Sequence, residues 1–175
     1  MVVGSTTLQE NGHMEKSTVK LKKTSPEILF LSFFNIGFLP LAPGTWGTIA
    51  TMPFLWFFSS FNTPWFFLAP FVGITTIVSC FIAEYVQKKH HLHDPQWIVI
   101  DEVLGMALAW FFLLELNWLH ALVLFSLFRL FDIIKVWPAN FFDKLEHGAG
   151  TILDDIVSGL FAGLTYRLLF LIYAF

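Results

Sequence analysis

Charge is scarce in this chain, and cysteine almost absent. Charged residues make up 13% of its 175 positions, where a soluble domain carries about 25%. Such a chain is a membrane protein, or has at least one large lipid-facing surface. The single cysteine, Cys80, lies in an apolar run, which excludes an intramolecular disulfide and a thiolate metal cluster. After Lys16, Lys20, Lys22 and Lys23 no basic stripe remains, which disfavours nucleic-acid binding. Residues 1–27 do not read as a signal peptide, because the polar lead is long and no small-residue cleavage site follows the apolar stretch.

What is abundant is apolar. Hydrophobic residues reach 56%, with 22 Phe and 7 Trp. The pattern predicts an all-α fold, a helical membrane bundle with several transmembrane or partly embedded helices. Residues 1–27 read as a flexible polar tail and 28–175 as one helical domain, with no linker between two units. Trp65–Ala83 is uncharged and about long enough to cross a bilayer. Ile28–Leu41 and Ile49–Phe61 precede it, separated by the loop Ala42–Gly47, and Asn62-Thr63-Pro64 is a turn signal. Val103–Leu114 and Trp118–Phe128 form a hairpin broken at Glu115–Asn117; Arg129–Thr151 is turn-rich, and Ile152–Phe175 closes the chain. A dozen helical residues cover only about 18 Å of about 30 Å of hydrocarbon, so the shorter runs are candidates for partial embedding.

Lysine-rich flanks favour the cytoplasm. That puts the tail and Lys88-Lys89 on one side, with two crossings between them. The loop at residues 43–48, the stretch 94–102 and the stretch 129–155 then share that side. Arg167 interrupts the last helix and reads as a side chain snorkelling to the outer interface.

Two acidic pairs, Asp101-Glu102 and Asp154-Asp155, each precede an apolar segment containing glycine. Ionised carboxylates beside hydrocarbon are costly unless neutralised, and a divalent cation is the usual neutraliser where several converge. Helical spacing puts Asp101, Gly105 and Ala109 on one face, and Asp155, Gly159 and Gly163 on another. Packing through these small residues would bring the acids together. The plainer reading is that each pair stabilises a helix N-terminus. Arg129, Asp132 and Lys135 are three apart, which suits a salt-bridge ladder or a phosphate site with Asp132 on a metal or on the arginine. Gly44, Thr45 and Thr48 open a helix whose free N–H groups could meet an anion, or the threonines could cap it. His147 could move a proton at neutral pH, or be a solvated loop residue. Asp94 is a turn residue within possible reach of the acids. His90, His91 and His93 lack the pairing expected of a zinc site.

These motifs, in this order, resemble the phosphatidylglycerophosphatase A family of bacterial membrane lipid phosphatases. The matching residues run from Ala42-Pro43-Gly44-Thr45-Trp46-Gly47-Thr48 through His93-Asp94 and Ile100–Met106 to Phe128–Lys135 with Trp137-Pro138. Phe142-Asp143, His147-Gly148, Gly150 and Asp154–Gly159 complete the series. Thr48 stands where the family usually has serine, which keeps the hydroxyl. The resemblance implies Mg²⁺-dependent hydrolysis of phosphatidylglycerophosphate to phosphatidylglycerol and phosphate by a multi-pass protein of the bacterial inner membrane. Asp101, Glu102, Asp132, Asp154 and Asp155 are then the metal candidates. Arg129 and Lys135 are candidates for the phosphate, and a carboxylate or His147 for the proton. Three other readings compete. A CDP-alcohol phosphatidyltransferase would show DGxxAR and DxxxD, and a histidine-nucleophile lipid phosphatase would show PSGH; neither motif is present. An ion transporter or channel would hold its acids near the bilayer midplane rather than at helix starts.

Overall fold

Helices follow the apolar runs, with ends set by proline, glycine and polar breaks. The computed structural model describes residues 2–8, 14–61, 65–142 and 148–173. Among the described residues, seven α-helices form the domain: α1 (Pro26–Leu31), α2 (Pro43–Ser60), α3 (Trp65–His90), α4 (Ile100–Trp110), α5 (Trp118–Ile134), α6 (Ala139–Phe142) and α7 (Gly148–Tyr173). Two strands in the tail, β1 (Val2–Leu8) and β2 (Met14–Lys20), pair antiparallel with Val2 opposite Lys20. The helical expectation holds for the domain, and the strands lie in the segment before it. The Asn62-Thr63-Pro64 turn is outside the described residues.

Several boundaries differ from those the sequence suggests: α3 runs on to His90, α4 spans Ile100–Trp110 and α7 starts at Gly148. Ile28–Leu41 is not one apolar helix but the six-residue α1 and a 3-10 turn at Ile36–Phe38. Phe33, Phe34 and Asn35 between them have positive φ, which breaks the helix. Of the expected loop Ala42–Gly47, all but Ala42 instead belongs to the start of α2, with proline at the position its fixed φ suits. Helix α5 runs six residues past Phe128, to Ile134, and stops at Lys135 in the left-handed conformation.

Leu68–His90 and Gly148–Ile172 are long and apolar enough to cross a membrane. Only 22% and 33% of their apolar windows is buried inside the protein, unlike the core helix of a soluble fold. Exposed Phe71, Ile74, Ile77, Val78 and Phe81 recur at helical spacing on α3, and Leu160, Leu164, Leu168 and Leu171 on α7. A continuous apolar stripe facing outward is what a lipid environment selects and water does not.

Helix α7 is the axis of the bundle, and α3, α4, α5 and α6 all pack on it. The closest approach is to α4. A Cβ placed on Gly159 would collide with the carbonyl of Gly105, and one on Gly163 would strike the ring of Phe112. The two small-residue stripes therefore meet as their spacing predicts, and the acids at their heads are brought side by side. We expect Gly159→Val to force α4 from α7. Overpacking of this kind costs about 1–3 kcal/mol or more, and thermal unfolding in detergent should show it as a lowered midpoint.

The bundle has two distinct ends. At one, Trp56 stacks on Trp118 with centroids 4.3 Å apart. There the Tyr166 hydroxyl accepts from the Leu114 N–H at 3.2 Å and contacts His120 Nδ1. The carboxylates lie at the other end.

Candidate active site

Four segments far apart in sequence converge on one cavity of about 350 Å³. The start of α2 brings Gly44, α4 brings Asp101 and Glu102, and the end of α5 brings Arg129, Asp132 and Lys135. Helix α7 adds Thr151, Asp154 and Asp155, and the loop before α4 adds Asp94 and Gln96. Asp101, Asp154 and Asp155 are buried.

One carboxylate oxygen from each of Asp101, Glu102 and Asp155 lies within 4.8 Å of the other two. Asp101 Oδ1 accepts from the Glu102 N–H, and Asp154 Oδ1 from the Asp155 N–H, both at 3.0 Å. Each pair thus fixes its first carboxylate on the backbone of its second. Asp154 and Asp132 have other partners. Lys135 Nζ donates to Asp154 Oδ2 at 2.7 Å, and Arg129 Nη1 pairs with Asp132 Oδ2 at 2.7 Å. Because Lys135 leaves the helix at a positive φ, it does not continue the Arg129–Asp132 face; it turns across to α7.

Arg129 also reaches Thr48 Oγ1 at 3.5 Å and lies 4.0 Å from Glu102 Oε1. Thr48 does not cap α2. Its hydroxyl donates to the Gly44 carbonyl at 2.9 Å. Thr45 is half-buried and is not among the cavity-lining residues. Gly44 has a steric role that the motif alone does not reveal: a Cβ there would run into the Glu102 carboxylate and stand 3.4 Å from Arg129 Nη1. His147 lies outside the described residues. Sequence reading also does not single out Thr151, which accepts from the Gln87 amide at 2.9 Å. Its one available signal is that it sits four residues before Asp155, on the same helix face.

Among the described lining residues, six carboxylates (Asp94, Asp101, Glu102, Asp132, Asp154, Asp155) face two cations, Arg129 and Lys135. If all are ionised, four negative charges are left over. Glu102 Oε2 and Arg129 Nε are both buried and find no hydrogen-bond partner among the described residues. A buried orphan acceptor among surplus carboxylates fits a cation, and a buried orphan guanidinium N–H fits an anion. The three converging carboxylates supply only oxygen donors, which suits a hard divalent ion rather than zinc.

A helical domain with outward apolar stripes, and a cavity equipped for both a metal and an anion, has the make-up of a membrane-associated phosphate-handling enzyme. Comparison with known proteins makes the assignment specific. The family model described as Phosphatidylglycerophosphatase A matches residues 29–170. Phosphatidylglycerophosphatase A of Escherichia coli K12 is 33% identical over 156 residues, covering 88% of this chain and 90% of the relative. The protein of that name from Haemophilus influenzae is 32% identical over 145 residues, covering 82% and 88%. A Bacteroides thetaiotaomicron protein provisionally named a phosphatidylinositol-3-phosphatase is 27% identical over 143 residues, covering 77% and 87%. No solved structure matches. The chain belongs to the phosphatidylglycerophosphatase A family, and is a phosphoric monoester hydrolase.

Proposed function

We propose that this protein removes the terminal phosphate of phosphatidylglycerophosphate, giving phosphatidylglycerol and inorganic phosphate, with Mg²⁺ as cofactor. The observation that carries the reading is the convergence of surplus buried carboxylates with Arg129 on one cavity in a member of this family. Asp101, Glu102 and Asp155 would hold the ion. When bound, Mg²⁺ supplies positive charge to the phosphoryl oxygens and acidifies water. Asp154 is tied to Lys135, and Asp132 orients Arg129. The arginine presents its remaining N–H groups to the equatorial oxygens, where charge develops in the transition state. Gly44 leaves room for Glu102. Hydrolysis adds water across the P–O bond, oxygen to phosphorus and a proton to the departing glycerol oxygen. A site carboxylate or His147 moves that proton.

The direct test is phosphate release by the purified chain from phosphatidylglycerophosphate, phosphatidylinositol 3-phosphate and phosphatidic acid, each with Mg²⁺. The first should be turned over fastest. No release from it sinks the reading, and a preference for the inositol lipid would move the chain toward its Bacteroides relative. Arg129→Lys separates the fork from the charge. It should lose about 10²-fold or more in kcat/KM, as for removal of one oriented donor. Near-normal kinetics would reduce Arg129 to a partner of Asp132.

We place residues 28–175 as one membrane domain after a separate tail, multi-pass in the bacterial cytoplasmic membrane with the site facing the cytoplasm. Because α1 is only six residues long, the tail and the site keep the parity that the lysines require. In a Cys80→Ser background, Glu115→Cys should label in intact cells with an impermeant thiol reagent, and His91→Cys only after permeabilisation. The reverse pattern would invert the topology.

A further inference from the structure

Two stretches that line the polar cavity continue into exposed apolar residues. On one side the chain enters the site through Ala42, Pro43 and Gly44, which line it. Directly before them stand Leu39 and Leu41, and Leu41 is 86% exposed. Its φ of 62° is one that a leucine seldom adopts, yet the side chain gains no burial from it. On the other side the chain leaves through Lys135, which also lines the cavity. Ile133, Ile134, Val136 and Trp137 flank it, with Ile133 and Trp137 each 74% exposed. Two stretches entering the cavity thus carry exposed apolar side chains, Leu39 and Leu41 on one and Ile133, Ile134, Val136 and Trp137 on the other. In water such stretches are a liability, and next to a phosphate site they define a boundary between polar and apolar surroundings. A tryptophan there has the amphipathic ring that settles at headgroup level.

The volume narrows the occupant. About 350 Å³ lies near the small end of ligand sites. It takes a phosphorylated glycerol head and leaves two acyl chains outside. Asp155 lies seven residues into α7, or about 10 Å along the axis from Gly148. A lipid whose phosphate reaches that depth from the side must lay its glycerol backbone and chains across the rim.

We propose that Leu39–Leu41 and Ile133–Trp137 are two lips that seat the acyl-chain end of the lipid at the bilayer boundary. The phosphate then enters the cavity without the lipid leaving the membrane. This inference rests on the reading of a phosphorylated glycerolipid as substrate. Its test uses Leu41→Ser, Ile133→Ser and Trp137→Ser, singly and together, in the full-length protein in vesicles. Two substrates are compared: phosphatidylglycerophosphate in the bilayer, and its water-soluble deacylated head, glycerophosphoglycerophosphate. The triple variant should lose at least ~10-fold in kcat/KM on the bilayer lipid and stay within ~2-fold of wild type on the soluble head, by the lost apolar contacts. Equal losses on both, or no loss on the lipid, would overturn the lips.

A second measurement needs no turnover. The fluorescence difference between wild type and Trp137→Phe should be quenched by lipids brominated on the acyl chains. Absence of quenching rejects the placement. If the wild type hydrolyses neither substrate, the substrate reading fails while the fluorescence result still decides where the lip sits. Disulfide cross-linking of two chains through Trp137→Cys, in a Cys80→Ser background, would assign the face to a second copy and also overturn the proposal.

Discussion

Asp155→Asn should lower turnover by about 10³-fold, equivalent to about 4 kcal/mol of transition-state stabilisation, while the protein still inserts and purifies. Asp155 is buried, and one of its oxygens lies within 4.8 Å of oxygens from Asp101 and Glu102. If its role were only to support the fold, the asparagine would destabilise the protein. The electrostatics argue the other way. Asp155 stands in a cluster with surplus negative charge, so removing its charge relieves repulsion when no cation is present. Thermal unfolding in EDTA should therefore show the variant as stable as wild type or more so. Added Mg²⁺ should raise the wild-type midpoint clearly and the variant's little. Asp101→Asn should behave alike. Full activity in either variant would remove that residue from the metal site, and failure to fold would return it to a structural role.

Much of this site was legible because a glycine stripe carries two kinds of information. Gly105 and Gly159 lie four residues after Asp101 and Asp155, so one spacing fixes both the helix contact and the meeting of the acids. The partition among the five metal-candidate acids was not legible. It depends on Lys135 turning back at a positive φ to reach Asp154, and on Arg129 closing on Asp132. Helical spacing predicts that Arg129, Asp132 and Lys135 share a face, but a helix that ends at Ile134 releases the lysine from that face. The end of α5 was missed because polar residues facing a cavity resemble those of a turn. The reach of Gly44 to Glu102 spans 58 positions and follows from tertiary packing alone. The bundle's membrane character was plain in composition. The break in Ile28–Leu41 was not, because apolar residues at positive φ leave no compositional trace.

Stripping divalent ions should abolish hydrolysis, with a loss of at least ~10²-fold, and Mg²⁺ should restore it. The charge count supplies the reason. If all are ionised, six carboxylates and two cations leave four negative charges in the cavity, and a phosphate monoester brings about two more near neutral pH. Without an added cation the substrate is repelled from the very groups that would act on it. KM should therefore rise as kcat falls. Mg²⁺ binding also has a readout independent of turnover. At a hundred times its dissociation constant, the ion should stabilise the folded protein by about 2.7 kcal/mol if it binds only that state. Glu102→Gln, which removes the charge of the carboxylate whose Oε2 is buried and unsatisfied, should shrink that shift. Zinc should substitute poorly, because the converging donors are all carboxylate oxygens. Undiminished hydrolysis after exhaustive chelation, together with an unfolding midpoint that ignores Mg²⁺, would exclude a metal from the cavity. The carboxylates would then have to act as proton carriers, with Arg129 and Lys135 the positive charges for the phosphate among the described lining residues.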